Sequence, residues 1–155
     1  MVYPFILATH NAFRWLVLGS LLAALVSAYS GWFSARPYRP ADQTIRVVAT
    51  SISHTQLLLG FYLYAISPII KYYWSFKPNF HESPEFSFFS LIHISLMFTS
   101  VVLMTVGSSK AKRQAQAQDK FKTTAIYFSV GLLLILIAIP WPFSPLAARP
   151  LFRPF

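Results

Sequence analysis

The strongest constraint on this chain is a succession of four apolar stretches, each about as long as a helix needs to cross hydrocarbon. About 20 apolar residues span a bilayer core at roughly 1.5 Å per residue. The first stretch covers about 3–33 and is interrupted only by His10, Asn11 and Arg14. The others cover about 47–74, 85–107 and 121–139, and Pro140 and Pro142 close the last. Only helices and closed barrels satisfy their backbone groups in lipid. Short connections favour up-down packing of neighbours. The expected fold is therefore all-α: a polytopic membrane protein built as an antiparallel four-transmembrane-helix bundle over 1–143. An irregular Pro-rich tail follows at 144–155.

Composition agrees with that solvent. Charged residues make up 11% of the 155 residues, against about 25% in a soluble domain. The formal net charge of +9 is spread over short segments between apolar runs. That suits anionic lipid head groups, and it argues against nucleic acid, whose binders gather charge on a water-facing surface. The absence of cysteine excludes disulfides, thiolate-held iron–sulfur clusters and covalent c-type haem. The N-terminus lacks a basic n-region, so the first apolar stretch is expected to remain as a membrane helix.

Lysine and arginine set the expected orientation. The first and third loops hold Arg36, Arg39, Arg46, Lys110, Lys112, Arg113, Lys120 and Lys122, eight in all. The opposite side holds Lys71, Lys77, Arg149 and Arg153, with Arg14 just inside the first helix, five in all. The expectation is a multi-pass protein of the bacterial inner membrane with both termini periplasmic. Gly19, Ala23, Ser27 and Gly31 recur every fourth position, a small-residue stripe that predicts close packing against a neighbouring helix.

The four acids, Asp42, Glu82, Glu85 and Asp119, all fall in loops or at helix ends. Paired-carboxylate catalysis and carboxylate proton relays within the bilayer are thereby excluded. No H-E-x-x-H, Gly-rich phosphate loop or G-x-S-x-G element occurs. Histidine is what remains. His10, His54 and His93 lie in the first, second and third apolar stretches, and His81 lies in a loop. Ionisable groups inside a membrane are costly and generally functional. Histidines on facing bundle helices are the usual means of holding haem iron without covalent attachment.

Axial ligands must share a depth. A rise of about 1.5 Å per residue makes His10 with His93 the better-matched pair, and leaves His54 with His93 open if the second helix is shifted or tilted. Arg14, one turn from His10, is a candidate partner for a haem propionate or a snorkelling cation. Met97, one turn from His93, could face the same pocket as a gap filler or weak ligand. A three-histidine zinc site needs all three rings at one depth. Quinone is a second candidate ligand, in a pocket lined by Trp15, His54, Tyr62 and Tyr64, although such aromatics are more often interface anchors.

The chain resembles a group of small four-helix membrane proteins of Bacteroidota-type bacteria described as cytochrome b-like. The likeness rests on His10-Asn11-x-x-Arg14-Trp15, on His54-x-Gln56-Leu57-Leu58-Leu59-Gly60 continuing to Tyr64 and Ser67-Pro68, and on Ile139-Pro140-Trp141-Pro142-Phe143. The third helix departs from the pattern, with Ile92 before His93 where the group often has an acid. The resemblance implies that His10, His54, His93 and Arg14 are the positions of interest. The expected function is haem b binding in respiratory electron transfer, by a carrier or subunit rather than a stand-alone enzyme. The expected partners are membrane lipid and a larger membrane complex or further copies of the chain. A cofactor-free accessory subunit is the alternative.

Overall fold

The computed structural model describes residues 2–152. It is all-helical, with no strand among those residues. The elements are α1 (Val2–Phe33), α2 (Pro40–Ile66), α3 (Pro68–Phe76), α4 (Pro84–Ser87), a π-helical turn (Phe88–His93), α5 (Ile94–Arg113) and α6 (Ala117–Ala138). α4, the π turn and α5 form one continuous rod, Pro84–Arg113. Three helices are long and apolar enough to cross a membrane: α1, this rod and α6. α2 has the length, at 27 residues, but not the apolarity. It carries Asp42, Gln43, Thr44 and Arg46 near its start, and an unbroken polar run from Ser53 to Gln56 midway.

The long helices form a ring in the order α1, α2, α5, α6, so α1 faces α5 across the diagonal. Leu21, Ala49, Met104 and Phe128 fill the centre. Large apolar side chains such as Val26, Leu58, Leu133 and Ile137 point away from it, as a surface facing lipid would have them. The tightest approach joins α5 to α6. A Cβ on Gly107 would sit 2.2 Å from Cβ of Tyr127, so only glycine admits that crossing. Gly31 plays the same part in α1, where the Phe121 ring occupies the space a side chain would need.

Several boundaries differ from the hydropathy reading. α2 begins at Pro40 rather than near residue 47, because Pro40 occupies the first helical turn, where a missing N–H costs nothing. Asp42 then accepts the backbone N–H of Arg39 at 2.9 Å, a carboxylate cap on the positive end of the helix. The apolar run to Trp74 is also not one helix. Pro68 has no N–H for the Tyr64 carbonyl and pushes Ser67 into the extended region (φ −67, ψ 128). The short α3 leaves at that break. Arg46, counted above with the first loop, is inside α2 and buried, donating to Tyr38 Oη and to the Ser108 carbonyl.

The small-residue stripe is only half used. Ser27 and Gly31 make contacts, but Gly19 and Ala23 are exposed, and nothing lies within 4 Å of a Cβ built on Gly19. The packed face of α1 is instead Leu21, Ala24, Ala28 and Gly31. Opposite the termini, Arg36 grips Asp42 with both guanidinium nitrogens at 2.7 Å, and Ser27 Oγ donates to the same carboxylate at 2.6 Å. This clamp ties α1 to α2 at the end of the bundle distant from the histidines. The tail at 144–152 is irregular and folds back on α1, with Phe152 stacked on Trp15 at 5.4 Å.

Candidate functional site

The two prolines that end α6 create half of the site. In a helix each carbonyl accepts the N–H four residues on. Pro140 and Pro142 have none to offer the carbonyls of Leu136 and Ala138. Trp141 Nε1 donates to the first at 2.8 Å. His93 Nδ1 takes the second at 2.7 Å. A carbonyl only accepts, so Nδ1 carries the hydrogen and, in the neutral ring, Nε2 holds the free lone pair. His93 closes the π turn, a distortion that recurs at functional sites. The rings of Phe88 and Phe89 pack against its imidazole, each at 5.9 Å.

The other half comes from α1 across the diagonal. The His10 ring lies 6.5 Å from that of His93, centre to centre, with the planes at 66°. It rests on Gly60 of α2, where a Cβ would stand 3.3 Å from Cε1 of the imidazole. Gln56, one turn before Gly60, donates through Nε2 to the His10 carbonyl at 2.9 Å. Nδ1 of His10 is buried without a partner, as are Asn11 Oδ1, Gln56 Oε1, Arg14 Nε and Ser90 Oγ.

Both rings line a cavity of about 420 Å³, together with Arg14, Tyr64 and Met97. This is within the range of small-molecule and cofactor pockets. Arg14 is only 8% exposed. Helical side chains lean towards the N-terminus, so its stem runs towards the turn that carries His10. Its Nη2 donates to the Leu151 carbonyl at 2.6 Å, and the group lies 5.1 Å from the Trp15 ring centre. The ion pairs among the described residues are Arg36–Asp42 and Arg149–Glu85, so Arg14 has no carboxylate partner there.

The structure therefore brings together His10, His93 and Arg14, with Met97 in the same cavity, and leaves His54 out. His54 is exposed on α2, and its Nε2 lies 3.0 Å from Thr105 Oγ1. It sits six residues before Gly60, about 9 Å further along the bundle. No cluster of three metal-ligating side chains forms among the described residues, so the histidines do not assemble a three-histidine zinc site. Of the four residues suggested for a quinone, only Tyr64 lines the cavity. Tyr62 faces outward, and Trp15 packs against the tail. The ion pair of Arg149, which lines the cavity, with Glu85 was not visible in the sequence, since 64 residues separate the partners. Gln56 and Gly60 stand in the quoted motif, but their contact with His10 needed the fold.

The spacing of the two ring centres is the one a metal held between two imidazoles would require. Two metal–nitrogen bonds of about 2 Å, plus roughly 1 Å from each nitrogen to its ring centre, separate the centres by about 6 Å. The observed 6.5 Å is close to this. No family model, curated protein or solved structure matches the chain.

Proposed function

We propose that this protein holds a b-type haem between His10 and His93 and carries electrons in a respiratory chain of the bacterial inner membrane, as a subunit of a larger complex. In this reading α2 crosses with the other three helices and the termini face the periplasm. The observation that carries it is the meeting of two histidines from diagonal helices, 6.5 Å apart, beside a mostly apolar cavity. Haem bound there supplies one-electron redox chemistry. The chain's own contribution is to fix two imidazoles, exclude water with Phe88, Phe89 and Leu57, and offer Arg14 as a cation for a carboxylate at the cavity wall.

A second reading is a cofactor-free accessory subunit. Ser51, His54 and Thr55 favour it, because they put polar groups on the outward face of α2, where a neighbouring protein suits them better than lipid.

A reduced-minus-oxidised spectrum separates the two. The wild type and His54→Ala should both show the Soret and α bands of a b-type haem, and His10→Ala and His93→Ala should each lose them. A colourless wild type from haem-replete cells, co-purifying with a larger complex at fixed stoichiometry, would replace the first reading with the second.

A further inference from the structure

The two histidines are not equally secured. His93 has the Ala138 carbonyl to hold its ring, whereas His10 has no hydrogen-bond partner at Nδ1. Among the unpartnered acceptors near His10, which include Asn11 Oδ1, Gln56 Oε1 is the one whose side chain already bonds to the same residue. Gln56 Nε2 donates to the His10 carbonyl. A carbonyl cannot donate, so the orientation of the Gln56 amide is settled by its partner. Gln56 Oε1 is then an acceptor, buried and without a donor. His10 Nδ1 turns its edge to the same helix, 4.0 Å from the position of a Gly60 Cβ. Gly60 and Gln56 are one turn apart, on one face of α2. Two buried orphans of complementary kind thus stand on the same α1–α2 contact, and leaving both unpaired is costly.

We infer that Gln56 is a positioning residue: a small turn of the His10 ring brings Nδ1 to Gln56 Oε1, which accepts its hydrogen and selects the tautomer that presents Nε2 to the cavity. Gly60 gives the ring room to adopt that pose. Both imidazoles then offer Nε2, one fixed by the end of α6 and the other by α2. Partners of this kind set the orientation and basicity of ligating histidines. The use of Nε2 rests on the haem reading, but the choice of tautomer does not.

The test is nitrogen-15 NMR of histidine-labelled, haem-free protein in detergent, with His10 assigned by comparison with His10→Ala. His10 should appear as a single neutral tautomer bearing hydrogen on Nδ1. Gln56→Leu should give a mixture or the opposite tautomer, leaving His93 unchanged. Gln56→Glu should keep the wild-type form, since a carboxyl group can donate to the His10 carbonyl and accept from Nδ1 at once. An unchanged His10 in Gln56→Leu, or a change produced by Asn11→Leu and not by Gln56→Leu, overturns the inference. Failure of the haem reading is seen separately, as absence of a Soret band in the wild type.

Discussion

His93 Nδ1 sits 2.7 Å from the carbonyl oxygen of Ala138, and that carbonyl is available because α6 ends there, with Ile139 held extended before Pro140 (φ −69, ψ 128). One local rule thereby reaches a neighbouring helix. The end of α6 supplies the carbonyl that orients a side chain at the end of the π turn. Trp141 uses the companion vacancy at Leu136, so neither carbonyl is left without a donor.

Pro140→Ala combined with Pro142→Ala should uncouple these events. The helix can then run on past Ile139 and bring the N–H of residue 142 to the Ala138 carbonyl, where it competes with His93. Loss of such a partner typically costs about 10- to 100-fold in metal affinity. If the proposed haem site is right, titration of haem into haem-free protein should show a fall of that order, with helix content unchanged or slightly raised. An affinity equal to the wild type would mean that the Ala138 contact does not hold the ring.

The Arg36–Asp42 clamp makes a pH prediction. Paired hydrogen bonds from Arg36, aided by Ser27 Oγ and the Arg39 N–H, hold the Asp42 carboxyl well below the usual carboxylate range. A depressed folded pKa stabilises the fold above the ordinary carboxylate pKa, and that stability is lost as pH falls through the folded value. The contribution should therefore be flat across neutral pH and disappear only in strong acid. Thermal unfolding of Asp42→Asn in detergent should show a loss of about 1–2 kcal/mol near neutrality, as expected of a part-buried charged hydrogen-bond cluster. The gap from the wild type should close as pH falls below about 3. A gap that persisted unchanged into strong acid would show that the carboxylate charge is not what stabilises this end.

How much of this was legible in the sequence depended on the range of the interaction. Three apolar runs reappear as helices suited to a membrane because hydropathy over some 20 residues is a local property. The division of the second run at Ser67–Pro68 was also local, and Pro68 was its signal, but uniform apolarity on both sides concealed it. The stripe from Gly19 to Gly31 predicted a packed face, and sequence periodicity could not tell which neighbour would cover it. The covered part is set by where Asp42 meets Ser27 and Phe121 meets Gly31, both of which depend on chain folding back. At the site, the identities of His10 and His93 stood out, because polar residues in apolar runs are conspicuous. Their partners did not, since Ala138, Gln56 and Gly60 reach them only across helix contacts.

The glycines offer a contrast that tests the packing directly. Gly107→Ala places a methyl group against Tyr127 Cβ, backbone-anchored and unable to move far. It should separate α5 from α6 and destabilise by about 2–3 kcal/mol. Gly19→Ala meets nothing and should instead raise stability by up to about 1 kcal/mol, through helix propensity alone. Thermal unfolding of the two variants side by side reads the difference. Equal effects would remove the glycine-mediated crossing.

Gly60→Ala should separate stability from site geometry. Alanine favours the helix by about 1 kcal/mol, but its Cβ would lie 3.3 Å from His10 Cε1, closer than carbon atoms comfortably approach. The imidazole borders a cavity, so it can yield by turning away from α2, and little strain need remain. The expected result is a melting temperature at or above that of the wild type, together with about tenfold weaker haem binding as His10 leaves its pose. A protein that lost stability and binding in proportion would indicate general damage to the α1–α2 contact. Wild-type binding would show that the ring position seen against Gly60 is not the one that coordinates.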